Sequence, residues 1–128
     1  MPQPKILVAD DSRTIQTLVR RALTEAGYCV SLAADGREAV RAARLERPQL
    51  VILDILMPEM DGYAACLEIR ELGEPWHSMP IIFLSKVENQ TLNMLGSQLG
   101  AYLPKPVRVD LLLSTVESLI GRGAAVGV

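Results

Sequence analysis

Cysteine and histidine are scarce in this sequence: Cys29, Cys66 and His77 are all there are. The two cysteines stand far apart, which excludes a closely spaced thiol metal site or dithiol redox motif, and they are read as reduced thiols rather than a disulfide. No sign of charge dominates either. Thirteen basic and fifteen acidic residues leave a net charge of −2, which gives no electrostatic case for nucleic acid or an anionic membrane as partner. No apolar run approaches the ~20 residues of a membrane span. The opening MPQPKILVADD has only four consecutive apolar residues before two aspartates, so it does not read as a secretory leader. These absences together point to the cytoplasm. Internal repeats and linkers are also missing, and no helix-turn-helix or other output module follows residue 121. The expectation is one domain over residues 1–121 with a frayed tail over 122–128.

What the sequence does have is alternation. Short apolar runs read as strands at KILVAD (5–10), YCVSLA (28–33), LVIL (50–53), PIIFL (80–84) and a weak AYLP (101–104). Between them lie segments with helical spacing. The first carries Ile15, Leu18, Val19, Ala22, Leu23 and Ala26 and stops at Gly27. The second opens on Asp35 with Glu38 three residues later, a capping-box pattern, and ends by Pro48. Residues 63–72, 88–99 and 108–120 complete the set, the last with Leu112, Leu113, Val116, Leu119 and Ile120 facing inward. GEPWHSM between the third helix and the fourth strand reads as a polar loop, with His77 on its surface. Met94 and Leu111 are assigned to core packing. Five strands alternating with five helices predict an α/β fold, a doubly wound parallel sheet with helices on both faces.

In such a sheet, sites form outside the carboxyl ends of the strands. Asp10 and Asp11 end the first strand, Asp54 the third, Ser85 the fourth, and Lys105 follows the fifth. Taken singly, each has an ordinary structural explanation: Asp10 and Asp11 as helix caps, Asp54 as a turn residue, Ser85 and Lys105 as loop residues. Together they gather three carboxylates, a hydroxyl and an ammonium at one rim. Three carboxylates alone repel, but they suit a hard divalent cation such as Mg²⁺. A phosphate would then meet the cation, Lys105 and Ser85, and Asp54 has the chemistry of a nucleophile that forms an aspartyl-phosphate.

ILVADDS (6–12), LVILDILMPEMDG (50–62), PIIFLS (80–85) and YLPKP (102–106) fall in order along nearly the whole chain. On these segments the sequence resembles the receiver domain of bacterial two-component response regulators. The resemblance implies a flavodoxin-like five-stranded sheet of order 2-1-3-4-5. It implies that Asp54 accepts a phosphoryl group from a phosphohistidine on a sensor kinase or phosphotransfer protein. It further implies Asp11 as a direct Mg²⁺ ligand, Asp10 acting mainly through a metal-bound water, the Leu56 carbonyl as another ligand, and Lys105 pairing with phosphoryl oxygens. Ser85 and Tyr102 would form the switch, altering a protein-binding surface made of the fourth helix, fifth strand and fifth helix. Such a protein is a signalling switch, an enzyme only towards its own phosphorylation and dephosphorylation. A second copy of the chain is a further candidate partner.

Three positions depart from the family pattern. Lys86 follows Ser85 where a small residue is usual, and would narrow access to Asp54. Leu56 is apolar and cannot position an attacking water. LGAYLPKP lacks two residues before Tyr102, so the entry to the fifth strand must be tight. These departures keep two other readings open. One is a binding module that kept the fold without phosphorylation, disfavoured by the full set of five polar residues. The other is a small-molecule phosphatase, which would need a further acid/base carboxylate and a substrate pocket.

Overall fold

The computed structural model describes residues 3–86 and 100–121. The predicted fourth helix, residues 88–99 with Met94, and the tail 122–128 lie outside them. The elements are β1 (Lys5–Ala9), α1 (Arg13–Glu25), β2 (Cys29–Ala33), α2 (Gly36–Glu46), β3 (Leu50–Asp54), α3 (Gly62–Arg70), a 3₁₀ turn (Trp76–Ser78), β4 (Ile81–Ser85), β5 (Ala101–Pro104) and α4 (Val109–Ile120). The last is the fifth helix of the sequence pattern.

All strand pairs are parallel, in the order β2-β1-β3-β4-β5. The three central strands are apolar on both faces because both faces are covered. Leu7, Ala9, Val51, Leu53, Ile81 and Phe83 point into one layer with Ala39, Ala43, Ala65, Cys66 and Ile69 of α2 and α3. Their neighbours Ile6, Val8, Leu50, Ile52, Ile82 and Leu84 point into the other, with Val19, Leu23, Leu112 and Val116 of α1 and α4. A one-residue slip of any central strand would exchange its two sets of side chains between the layers.

Local signals start the first three helices. Asp35 caps α2 as the pattern predicts. Ser12, rather than Asp10 or Asp11, caps α1, and Asp61, which the sequence pattern places in a loop, caps α3. Each accepts a hydrogen bond from a first-turn amide. Two glycines allow backbone contact that no other residue would. A Cβ on Gly62 would lie 2.3 Å from the Asp54 carbonyl oxygen, so this glycine lets the loop after β3 close against the strand end. A Cβ on Gly100 would lie 2.3 Å from the Ile81 carbonyl oxygen, which makes the entry to β5 as tight as the shortened segment implies. Pro104 sits on an edge strand, where a missing amide costs no ladder bond on the open side.

Three expectations need correction. Leu111 and Leu119 are 39% and 36% exposed rather than inward, because α4 shares its face of the sheet with α1 and buries Leu112 and Val116 alone. Leu18 of α1 is likewise 37% exposed, on the shoulder of its apolar stripe. The GEPWHSM segment is not wholly polar in placement. Trp76 is buried under α2, its indole Nε1 donating to the Ala43 carbonyl at 2.8 Å, with the Arg47 guanidinium 5.5 Å from the ring centroid. His77 is exposed, as expected. Cys29 is exposed and Cys66 buried, both free. No described helix is long and apolar enough to cross a membrane.

Candidate functional site

Parallel strands deliver their carboxyl ends to one rim, and the polar residues gather there. Asp10 leaves β1 with no exposure at all. Its Oδ1 accepts from the Ser12 amide at 2.8 Å, and its backbone carbonyl accepts from the Gln16 side chain at 2.6 Å. The residue is therefore fixed from both sides before any ligand arrives. Asp54, the last residue of β3, is 5% exposed, and the Leu56 amide hydrogen-bonds to its carboxylate. Asp11 stands exposed beside them. Each of the three acids offers an oxygen within 4.8 Å of the others.

Lys105 binds this cluster together. Its backbone amide donates to the Ser85 carbonyl at 2.8 Å, extending the β4–β5 pairing by one step past Pro104. Its Nζ then lies 2.9 Å from Asp10 Oδ2 and 3.3 Å from Asp54 Oδ2. Asp10 Oδ2 is buried, and the lysine ammonium is the partner that meets it. Burial pulls the ammonium's pKa down, but the hydrogen bond to Asp10 and the charge of Asp54 outweigh it and hold the lysine above its usual range. For Asp54 the balance goes the other way. Burial and the neighbouring Asp10 push its pKa from 3.8 to about 6, against the opposing pull of Lys105 and the Leu56 amide.

A pocket of about 430 Å³ opens over these groups, with Asp54, Asp11, Ser85 and Lys105 in its wall and Leu56 and Lys86 at its lip. Ser85 is buried at the end of β4. The Leu56 side chain is 63% exposed. Six of the seven residues singled out in the sequence thus meet at one place. The seventh, Tyr102, sits lower on β5 opposite Phe83 and packs against the layer beneath α2 and α3. Tyr63 stacks at a tilt on Phe83, 4.9 Å between ring centroids, so Tyr102 joins an existing aromatic group. Sequence reasoning missed Thr14 and Ile15, which also line the pocket, and Gln16, which clamps the Asp10 carbonyl. Their only signal was position in the first turn of the helix after the double aspartate.

The donor set suits magnesium. It is all oxygen, anionic and clustered, and it includes a buried carboxylate oxygen met, among the described residues, by the Lys105 ammonium alone.

Comparison with known proteins gives a consistent result. The response regulator receiver domain family matches residues 6–117. The response regulator MprA of Mycolicibacterium vanbaalenii is 38% identical over 120 residues, covering 92% of this chain and 51% of that protein. MprA of Mycobacterium leprae is 36% identical with the same coverage. The chain spans about half the length of these relatives. Among solved structures, the chemotaxis protein CheY4 of Vibrio cholerae superposes with a TM-score of 0.84 at 34% identity, covering 91% of this chain and 98% of that one. The receiver domain of a sensor histidine kinase of Pseudomonas aeruginosa, solved with a magnesium ion coordinated in its active-site cleft, gives a TM-score of 0.81 at 35% identity. That match covers 93% of this chain and 98% of the other.

Proposed function

This chain belongs to the response regulator receiver-domain family, and from that premise we propose that it is the Mg²⁺-dependent phosphoacceptor of a two-component relay, with Asp54 as the residue that is phosphorylated. Receiver domains are signalling domains, generally not enzymes. The partner that supplies the phosphoryl group is a phosphohistidine on a sensor kinase or phosphotransfer protein.

The observation that carries the reading is the Lys105 ammonium lying between Asp10 and Asp54 at the floor of an open pocket. Asp54 attacks phosphorus through a carboxylate oxygen. The P–O bond to Asp54 forms as the P–N bond to the donor imidazole breaks, and the imidazole nitrogen keeps the bonding pair and takes a proton from its surroundings. In the metal-free site Asp54, with a pKa of about 6, is already mostly ionised at neutral pH and so is available as a nucleophile. Asp10, Asp11 and Asp54, with the Leu56 carbonyl, would hold Mg²⁺. When bound, the ion neutralises charge on the phosphoryl oxygens. Lys105 pairs with one of those oxygens, and the Ser85 hydroxyl donates to another once transfer is complete. The loop carrying Ser85 then shifts, and Tyr102 moves within its aromatic group, changing the surface offered to a partner. Labelling with acetyl phosphate, with and without Mg²⁺, on the parent and on Asp54→Asn tests the assignment.

Two departures from the family pattern tune the rates. Lys86 at the pocket lip narrows entry for small donors, so Lys86→Ala is expected to phosphorylate several-fold faster with acetyl phosphate; an unchanged rate removes the idea. Leu56 presents only carbons to a water approaching the acyl phosphate. Leu56→Asn, which can orient that water, is expected to shorten the phosphorylated lifetime several-fold in a decay time course.

A further inference from the structure

The outer face of α2 and α3 carries a charge pattern that the phosphoacceptor site does not use. Arg37, Arg41 and Arg44 fall at i, i+4 and i+7 of α2, one stripe pointing directly away from the buried Ala39 and Ala43. All three are exposed, and none makes an ion pair with a described residue. Arg47, the left-handed residue that ends the helix, is spent over the Trp76 ring. Glu68 of α3 and Glu71, which caps its C-terminus, are exposed, as is Leu67 at 51%. A groove of about 290 Å³ runs between the helices, with the three arginines on one bank, Glu68 on the other and Val40 and Met60 on its floor. Leu45, 72% exposed, stands up from α2 beside it. A basic stripe and an acidic side chain therefore line the two banks of one groove, with apolar side chains between them.

We propose that this face binds a second copy of the same chain, in a two-fold dimer whose axis runs along the groove. Rotation about that axis places α2 of one protomer over α3 of its partner and, by symmetry, α3 over α2. Arg41 and Arg44 then meet the partner's Glu68 and Glu71 on both sides of the axis, while Leu45 and Leu67 pack across it. The alternative two-fold, perpendicular to the helices, would set α2 on α2 and oppose arginine to arginine; the charge pattern selects against it. A nucleic acid or anionic membrane would engage the arginines but would be repelled by Glu68 and Glu71. Two short helices present a small face, so the dimer belongs at the weak end of specific interfaces. This inference does not depend on phosphorylation of Asp54.

The test is sedimentation of the whole chain from 5 to 500 μM at low and high salt. The parent is expected to dimerise in that range, with affinity falling at least tenfold at high salt. Two surface variants give the decisive measurement. Arg41→Glu with Arg44→Glu makes both helices acidic; Glu68→Lys with Glu71→Lys makes both basic. Neither variant should self-associate, yet an equimolar mixture should form a heterodimer as tight as the parent dimer or tighter. Circular dichroism and thermal melts check that both variants fold. A monomeric parent at 500 μM, dimers that survive either reversal, or a mixture that stays monomeric would each overturn the proposal.

Discussion

Replacing Asp54 with asparagine is expected to remove all phosphoryl labelling and, in metal-free buffer at pH 7.5, to make the protein more stable. The two effects have one cause. The native fold holds this carboxylate at 5% exposure beside Asp10, and those two facts push its pKa from 3.8 to about 6. A raised carboxyl pKa means that the folded state resists ionisation. Below pH 3.8 the group is protonated folded or unfolded and contributes nothing. Between 3.8 and 6 the unfolded chain ionises first, so stability falls as pH rises. Above 6 the full penalty stands, about 3 kcal/mol for a two-unit shift. Asparagine fills the same space without the charge. The expected gain is about 2 kcal/mol, or roughly 5–10 °C in Tm for a domain of this size. It should be present in EDTA at pH 7.5, shrink through pH 5 and vanish near pH 4. Added Mg²⁺ should stabilise the parent by binding the native state and narrow the gap. Equal melting temperatures for parent and variant across this range would show that Asp54 is not strained by its surroundings.

Much of this was legible in the residues because the fold places them by rule. Apolar runs at β1, β3 and β4 could only be central strands, and the residue that ends each of them is delivered to one rim. Asp10, Asp54 and Ser85 were readable for that reason alone. The capping acid Asp35 was readable too, since it acts on the amide three residues on; Asp61 caps α3 in the same way but did not stand out as a cap in the sequence. What could not be read is what depends on contact between distant segments. Trp76 looked like a loop residue until Ala43, 33 positions earlier, supplied the acceptor for its indole. Periodicity assigned Leu111, Leu119 and Leu18 to the core, but it gives a helix's apolar side and not how much of that side the sheet is wide enough to cover. Gln16 reaching back to the Asp10 carbonyl left no mark in composition or spacing.

Lys105→Met is expected to be the most damaging single change at the rim, slowing phosphorylation by about 100-fold or more and costing about 3 kcal/mol of stability at neutral pH without metal. The ammonium is 2.9 Å from Asp10 and 3.3 Å from Asp54, and its own side chain is only 7% exposed. Removing it leaves two buried carboxylates facing each other with no counter-charge, and methionine preserves the volume so that packing is not the variable. The sign with pH separates this loss from a generic defect. A lysine whose pKa is raised by its partners contributes stability that is present below its unfolded pKa and is lost only at alkaline pH. The part of that contribution that comes from Asp54 also needs its carboxylate ionised, so that part fades in acid as Asp54 takes up its proton near pH 6. The stability difference between parent and variant should therefore be largest from pH 7 to 9 and smaller at pH 4.5, where the 2.9 Å pair with Asp10 remains but the pair with Asp54 is lost. Mg²⁺, supplying positive charge to the same oxygens, should restore more of the variant's stability than of its phosphorylation rate, because the ion can screen the aspartates but cannot take the lysine's place on the phosphoryl oxygen. A variant rescued equally in both, or one equally destabilised at pH 4.5 and pH 8, would mean that Lys105 acts through packing rather than through its charge.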